Sequence, residues 1–240
     1  MFIAKRKYER RYREYYACCD AYVALCPAYC RRIAERLGIR DTVKLHAIGN
    51  GQPPAAATAG KGRTVLYVGR LSYSDKRVDR LLTIWHMAGA ATGGWRLVIV
   101  GEGQERERLE RQAAALQLSN VTFAGFCSSP QKYYDEGAVL CLTSTFESWG
   151  LVLTEAQANG VVPIAFGCSE GVRSILSEGG GVCIEPFDMG AYADALAALL
   201  TDDDRRCALQ RSAKAKSLEY SPEKIGEAWC NLLETLAAKE

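Results

Sequence analysis

The strongest constraint on this chain is a regular alternation of short apolar segments and helical periods that begins near residue 62. The apolar segments are rich in β-branched residues, which is typical of short buried strands. Six such strands are predicted, at 63–69, 95–101, 120–125, 138–143, 161–166 and 181–186. Because strands that alternate with helices form βαβ units, we predict an α/β fold with a doubly wound, mostly parallel sheet of about six strands.

Helical periods fill the gaps between these strands and follow the last one. The predicted helices are 77–91, 104–118, 130–136, 150–159, 171–177, 188–201, 203–218 and 221–238. Asp188 and Ser221 have the residue types of N-caps, and Pro222 suits a first helical position. The acidic run "TDDD" (201–204) resembles a metal-binding pair, but it lies between two helices, so we interpret it as a cap.

The first fifty residues differ from the rest of the chain. They read as a helix, a short strand, a second helix and a strand at "VKLHAI", followed by a Gly-, Pro- and Ala-rich stretch. We therefore divide the chain into a segment at 1–50, a linker at 51–62 and a main domain at 63–240. A piece of this size cannot fill a core of its own. Exposed apolar positions are expected in it, which predicts self-association, a partner chain or mobile first residues; they include Tyr22, Val23, Leu25, Ile33 and Leu37.

The charge distribution is uneven, although the net charge is only +2. Residues 1–40 contain ten Lys or Arg and four Asp or Glu. Such a basic leading segment suits peripheral contact with an anionic membrane surface, or it is a solvated helix face. The pattern leaves both interpretations open.

Cysteine and histidine usage argues against disulfides and metals. The ten cysteines are scattered and mostly lie in apolar stretches, where free Cys behaves as a small buried hydrophobe. Cys26 and Cys30 lack a second Cys or His pair, and His46 and His86 are isolated, so no metal site is predicted. No leader-like apolar region or 18-residue apolar run occurs. We expect a cytoplasmic chain, which is either free or peripheral at the inner membrane surface.

Two strand ends carry the residues expected to bind a ligand, because ligands of open α/β sheets bind beyond the carboxyl ends of the strands. The first strand ends in "VGRLSYSDKR" (68–77). Gly69 allows close approach to the backbone there. Arg70 and Lys76 supply a guanidinium fork and an ammonium group, which together suit a diphosphate.

The fourth strand ends in "LTSTFESWG" (142–150), and a helix begins near Gly150. Free N–H groups and the dipole make a helix start an anion site. Glu147 precedes this start, and Glu155 lies roughly 7 Å along the helix axis. Carboxylates accept paired hydrogen bonds of the kind that vicinal hydroxyls donate. The arrangement therefore suits a nucleotide sugar, with hydroxyls at both ends and phosphates between them.

The two glutamates admit two other interpretations. They could be a helix flank and a solvated residue, or the acid and base of a glycoside hydrolase, which need carboxyls about 5–9.5 Å apart. Two cations and a helix start beside them favour a bound anion over hydrolysis.

Four segments, in this order, carry a family resemblance: "YVGRL…DKRVDRLL", "WRLVIVGEGQERERLE", "NVTFAGF" and "FESWGLVLTEAQANGVVPIAF". Over about 20–240 the chain resembles the C-terminal, donor-binding domain of the GT-B retaining glycosyltransferases of family 4 (glycosyl transferases group 1). The resemblance implies a Rossmann-like donor domain at 63–240 and, at 1–50, a remnant of the acceptor-binding domain. It also implies that the C-terminal helix around Trp229 finds little to pack on.

The resemblance assigns roles to individual residues. Arg70 and Lys76 would neutralise the leaving nucleoside diphosphate, Glu147 would orient the transferred sugar, and Glu155 would hold the ribose. Trp149 stands where the family usually has Phe and is expected to narrow the sugar pocket. The loop 125–127 would border the base. The implied catalytic residues are Glu147, Arg70 and Lys76. The implied substrate-binding residues are Gly69, Arg70, Lys76, Phe126, Ser144, Glu147, Ser148, Trp149, Gly150, Leu151 and Glu155.

The implied function is transfer of a hexosyl unit, with retention of anomeric configuration and without metal or cofactor. The donor would be a UDP- or GDP-sugar, with UDP favoured, and the acceptor a glycan or a lipid-linked molecule; no nucleic acid partner is expected. The protein would contribute positioning and stabilisation of the departing charge. The alternative is a truncated or split-enzyme module that binds the donor but has no transferase activity of its own.

Overall fold

Two helices and two short strands form the first segment in the computed structural model, which describes residues 8–55 and 61–238. They are α1 (Glu9–Cys18), β1 (Tyr22–Ala24), α2 (Pro27–Leu37) and β2 (Leu45–Ala47). β1 and β2 pair in parallel and form a small sheet of their own. The predicted order of helix and strand in this segment is confirmed.

The main sheet has six parallel strands, as predicted. They are β3 (Thr64–Val68), β4 (Arg96–Val100), β5 (Val121–Gly125), β6 (Val139–Leu142), β7 (Val162–Phe166) and β8 (Val182–Ile184). The strand order is β5-β4-β3-β6-β7-β8. The chain builds outward from β3 to one edge, returns to the centre at β6 and builds outward to the other edge. The order therefore reverses between β3 and β6.

Helices connect the strands and complete the chain. They are α3 (Val78–Ala88), α4 (Arg106–Ala115), α5 (Gln131–Glu136), α6 (Leu151–Ala158), α7 (Glu170–Leu176), α8 (Met189–Thr201), α9 (Asp203–Ser217) and α10 (Pro222–Ala237). The side chains of Asp188, Asp202 and Ser221 accept hydrogen bonds from backbone N–H groups three residues later. The capping interpretation of "TDDD" is thus confirmed at Asp202. Within the described ranges no group of acidic, His and Cys side chains is suited to hold a metal ion.

Alternation along the strands separates two apolar cores, one on each face of the sheet. Val65 and Tyr67 of β3 point into the core that α3, α4 and α8 cover. Leu66, between them, points into the core that α5, α6 and α7 cover. Because α3 and α6 cover opposite faces, the loops that lead to them part at the centre of the sheet. A crevice of this kind, at a reversal of strand order, is where open α/β sheets bind ligands.

The first segment packs on the second core, which corrects the expectation of an unpartnered apolar surface. Ile33 and Leu37 are only 6% and 2% exposed, and they share a cluster with side chains of α6 and α7. Tyr22, Val23 and Leu25 are half-buried. The apolar positions of α2 are therefore already covered by the main domain.

The C-terminal helix is partly packed. Leu232 of α10 is 7% exposed, whereas Trp229 and Leu233 are 41% and 59% exposed. Just before α10, the carbonyl of Tyr220 accepts a hydrogen bond of 2.7 Å from the N–H of Gln52. The expectation that this helix finds little to pack on holds for its outer face only.

The cysteine interpretation needs a correction. All ten cysteines lie in the described ranges and are free thiols, as predicted. Only Cys26 and Cys141 are buried, and the other eight are partly or fully exposed. The description as small buried hydrophobes therefore applies to those two. Among the described helices, none combines the length and apolar character needed to cross a bilayer.

Replacing Ile33 by Ala tests the packing of the first segment on the main domain. We expect a loss of about 2–5 kcal/mol in the free energy of unfolding, because an isoleucine side chain in a closed cluster leaves a cavity. Urea unfolding followed by circular dichroism measures the change. Val43→Ala is the matched control, since Val43 is 67% exposed and should change stability by about 0.5 kcal/mol or less. An unchanged midpoint for Ile33→Ala would contradict the packing.

Candidate functional site

The loop after β3 begins with a close backbone crossing. The N–H of Gly69 donates to the carbonyl of Val100 at 3.0 Å, and a Cβ atom on Gly101 would lie 1.8 Å from the Gly69 carbonyl oxygen. No side chain other than hydrogen fits at Gly101. The ends of β3 and β4 are thereby held together, and the next residues of the β3 loop turn toward β6.

An ion pair joins the two loops that part at the centre of the sheet. Lys76 Nζ lies 2.5 Å from Glu147 Oε1, and both side chains are largely buried. Ser144 Oγ donates to the same carboxylate oxygen at 2.8 Å. Glu147 Oε2 accepts no hydrogen bond from residues 8–55 or 61–238. Three predicted site residues thus meet at one point, and one carboxylate oxygen is left for a ligand.

Backbone contacts brace the same two loops. The N–H of Thr145 donates to the carbonyl of Asp75 at 2.7 Å, and Thr143 Oγ1 donates to the carbonyl of Arg77 at 3.0 Å. Arg77 adopts a left-handed conformation with φ of 52° and donates through Nε and Nη2 to the two carboxylate oxygens of Asp79. The ion pair therefore spans a crevice with fixed walls.

Arg70 has a different environment from Lys76. Its side chain is 77% exposed and contacts the Asp75 carboxylate at 3.1 Å. The hydroxyl of Ser72, followed by that of Ser74 and the charge of Arg70, holds the pKa of Asp75 below its ordinary value of 3.8. The Tyr67 hydroxyl donates to the Arg70 carbonyl at 2.7 Å and fixes the start of the loop. Arg70 is thus a solvent-exposed cation on an anchored backbone.

The start of α6 lacks a side-chain cap. Gly150, its N-cap, has φ of 91°, which favours glycine over every other residue, and no side chain accepts from the first turn. The Ser148 carbonyl accepts a hydrogen bond of 2.8 Å from the Tyr29 hydroxyl of α2. The first segment therefore holds the loop that leads into α6, whose free N–H groups the sequence predicts as an anion site. An uncapped helix start binds anions.

Glu155 is held by a residue that the sequence did not indicate. The Tyr134 hydroxyl of α5 donates to Glu155 Oε2 at 2.7 Å. Burial, and then the neighbouring carboxylate, raises the pKa of Tyr134, so the phenol stays protonated and acts as a donor. A buried tyrosine in a short helix has no sequence signal that separates it from an ordinary core aromatic.

Two aromatic residues of the predicted site lie in contrasting positions. Trp149 is 3% exposed, and its ring packs edge-to-face on Tyr220 at 5.5 Å. The Trp149 ring is therefore packed in the interior, and its expected effect on the sugar pocket stays a prediction. Phe126, by contrast, follows β5 and is 76% exposed.

Cys168 is a second residue that the sequence did not single out. It lies in the loop after β7, near the Lys76–Glu147 pair. Burial raises the pKa of its thiol to about 11, and the Glu147 carboxylate contributes to the rise. The Cys168 thiol therefore stays protonated and adds no charge beside the Lys76–Glu147 pair.

A groove of about 560 Å³ lies one strand away, between the loops after β3 and β4. Arg70 lines it, but so do Glu102 and Glu105. Glu102 and Glu105 are paired with Arg106 and Arg108 of α4, just as Lys76 is paired with Glu147, so net charge does not distinguish this groove from the crevice at Lys76.

Known proteins resemble this chain over most of its length. An uncharacterized glycosyltransferase of Haemophilus influenzae is 29% identical over 218 residues, which are 90% of this chain and 61% of the relative. The amylovoran biosynthesis glycosyltransferase AmsD of Erwinia amylovora is 32% identical over 179 residues, covering 73% and 49% of the two chains. This chain thus spans about half to three fifths of the length of these relatives.

A solved structure shares the fold. A TarM variant of S. aureus, in complex with fondaparinux, α-GlcNAc-glycerol and UDP, superposes with a TM-score of 0.82 at 24% identity. The match covers 95% of this chain and 47% of TarM. The family described as "Glycosyl transferases group 1" matches residues 52–216. Since this match takes in more than half of the sequence, the chain belongs to the glycosyl transferases group 1 family.

Proposed function

We propose that this chain binds a nucleoside diphosphate sugar at the reversal of strand order and serves hexosyl transfer with retention, as a GT-B enzyme of family 4. The observation that carries the proposal is the Lys76–Glu147 pair of 2.5 Å beside the uncapped start of α6. It joins a cation for phosphate and a carboxylate for sugar hydroxyls in one crevice. Group 1 membership supports the reaction class.

The proposed binding mode follows from the charges. Lys76, the more exposed Arg70 and the helix start hold the diphosphate. Glu147 keeps Oε2 for sugar hydroxyls, and Glu155 keeps Oε1 for the ribose. Phe126 borders the base. This order runs from the sugar through the phosphates to the nucleoside.

Catalysis would then be electrostatic. As the bond between sugar and phosphate breaks, negative charge grows on the leaving diphosphate, and preorganised cations and amides stabilise it. In the mechanism proposed for the family, the diphosphate accepts the acceptor's proton on the same face of the sugar. Arg70 and Lys76 supply the countercharge, so we expect no metal requirement.

The related proteins support a particular donor and acceptor class. TarM was crystallised with UDP, and AmsD is named for amylovoran biosynthesis. We propose a UDP-sugar donor and a glycan or lipid-linked acceptor. We also propose that residues 63–240 are the donor domain, 51–62 the linker and 1–50 part of an acceptor-binding domain.

Hydrolysis of a glycoside fits the contacts less well. A glycosidase needs one of its two carboxyls as a proton donor. Glu147 accepts hydrogen bonds from Lys76 and Ser144, and Glu155 accepts one from Tyr134. Both carboxylates are held as acceptors.

Replacing Arg70 or Lys76 by Ala tests the diphosphate site. We expect UDP binding, measured by titration calorimetry, to weaken by about 1.5–3 kcal/mol in each variant, the range for hydrogen bonds to charged groups. GDP is titrated in parallel. Arg63→Ala is the control for Arg70, since Arg63 is likewise an exposed arginine but precedes β3, at the amino ends of the strands. Unchanged binding in both site variants would exclude the proposed diphosphate position.

The two glutamates should respond differently to replacement by Gln. Glu155→Gln should weaken UDP binding by about 1.5–3 kcal/mol, because the ribose hydroxyls lose a charged acceptor. Glu147→Gln should leave UDP binding at least as strong, since Lys76 loses its competing carboxylate. It should instead reduce discrimination among UDP-glucose, UDP-galactose and UDP-N-acetylglucosamine.

Titration calorimetry of both variants with UDP and the three UDP-sugars measures whether Glu155 contacts the nucleoside and Glu147 the sugar. Glu107→Gln is the control, because the Glu107 side chain is 87% exposed on α4. The same response from Glu147→Gln and Glu155→Gln would show that the two carboxylates do not hold opposite ends of the ligand.

A further inference from the structure

One short contact connects α5 to α6 inside the second core. The Tyr134 hydroxyl lies 2.7 Å from Glu155 Oε2. The tyrosine is 2% exposed, and its ring belongs to the apolar cluster on that face of the sheet. Glu155 is half-buried, and its Oε1 accepts no hydrogen bond from the part of the chain that the structure describes. The carboxylate thus has one occupied oxygen and one open oxygen.

The contact has a rigid frame on both sides. The Tyr134 carbonyl accepts a hydrogen bond of 2.7 Å from Lys61 Nζ. The Glu155 carbonyl accepts one of 2.9 Å from the Asn159 side chain, and Gln131 of α5 donates to that same Asn159 side chain at 2.6 Å. A second polar bridge therefore joins α5 and α6 one turn away. This bridge ties α5 to the end of α6 beside the Tyr134–Glu155 contact.

We propose that Tyr134 is a positioning residue for recognition of the nucleoside ribose. Its hydroxyl holds one oxygen of Glu155, so the other oxygen keeps a fixed direction toward the vicinal ribose hydroxyls. This inference rests on the proposed function, because it takes Glu155 to be the ribose acceptor. A functional group whose own rotamer is locked by a buried partner binds its ligand with less loss of conformational freedom.

A purely structural role for Tyr134 makes a different prediction. Buried tyrosines generally find a hydrogen-bond partner for their hydroxyl, whatever the partner's function. Removal of the hydroxyl would then change stability alone. A positioning role instead changes how strongly the protein distinguishes a ribose with both hydroxyls from one without them.

The test compares UDP with 2′,3′-dideoxy-UDP by titration calorimetry, or the corresponding GDP pair if the parent protein binds only GDP. The parent should favour the hydroxylated nucleotide by on the order of 10- to 100-fold, as expected for hydrogen bonds to a charged group. In Tyr134→Phe this ratio should fall by about 2- to 10-fold, the worth of a single hydrogen bond. Binding of the dideoxy nucleotide and of pyrophosphate should stay unchanged.

Tyr192→Phe is the matched control. Tyr192 is equally buried, and its hydroxyl donates to the Ile164 carbonyl at 2.6 Å in the opposite core. This variant should lose stability and keep the parent's ratio. In a Glu155→Ala background, Tyr134→Phe should no longer change the ratio. Thermal unfolding and circular dichroism establish that each variant is folded.

The outcomes separate this inference from the proposed function. A parent-like ratio in Tyr134→Phe overturns the positioning role and leaves the nucleotide site standing. A change in the ratio that persists in the Glu155→Ala background also overturns it, since the effect would not pass through the carboxylate. A parent protein that binds neither UDP nor GDP refutes the proposed function and, with it, this inference.

Discussion

All six strands of the main sheet run parallel, and the architecture depends on this constraint. Every connection between parallel neighbours must cross a face of the sheet, in the right-handed sense. A chain that builds outward from β3 and later outward from β6 must place α3 and α6 on opposite faces. The loops at the centre then diverge, and a crevice opens at the carboxyl ends of the strands. The position of the crevice is thus a consequence of chain topology, before any side chain is considered.

The side chains in that crevice are neutralised in pairs. Lys76 is paired with Glu147, and the exposed Arg70 is paired with Asp75. In the proposed complex a diphosphate would compete with these two carboxylates for the cations. The pairing keeps a crevice with buried charge stable while it is empty, because an unpaired buried charge is costly. The affinity for phosphate then depends on the free energy gained when phosphate contacts the cations, less the free energy lost when their contacts with the two carboxylates break.

Much of the architecture could be predicted from sequence, because the strands are continuous apolar runs and the caps are local. Asp188, Asp202 and Ser221 cap helices through N–H groups only three residues away. Lys76, Ser144 and Glu147 could be placed together because topology brings strand ends to one edge. The contacts of Tyr134 and of the Trp149 side chain could not be predicted, because the sequence around a buried aromatic residue does not indicate which residue it will contact. The packing of α2 was also missed, because Tyr29 and Ser148 meet across 119 residues of sequence.

The hydrogen bond from Tyr29 to the Ser148 carbonyl has a geometric effect that reaches beyond the two residues. A peptide unit is planar, so the direction of the Ser148 carbonyl sets the opposite direction of the Trp149 N–H. Through that plane, a phenol on α2 orients an amide at the entrance to α6. A small tilt of α2 would rotate this peptide plane and change the direction of the Trp149 N–H. The first segment would thus set the orientation of a backbone dipole in the crevice without any of its own side chains entering the crevice.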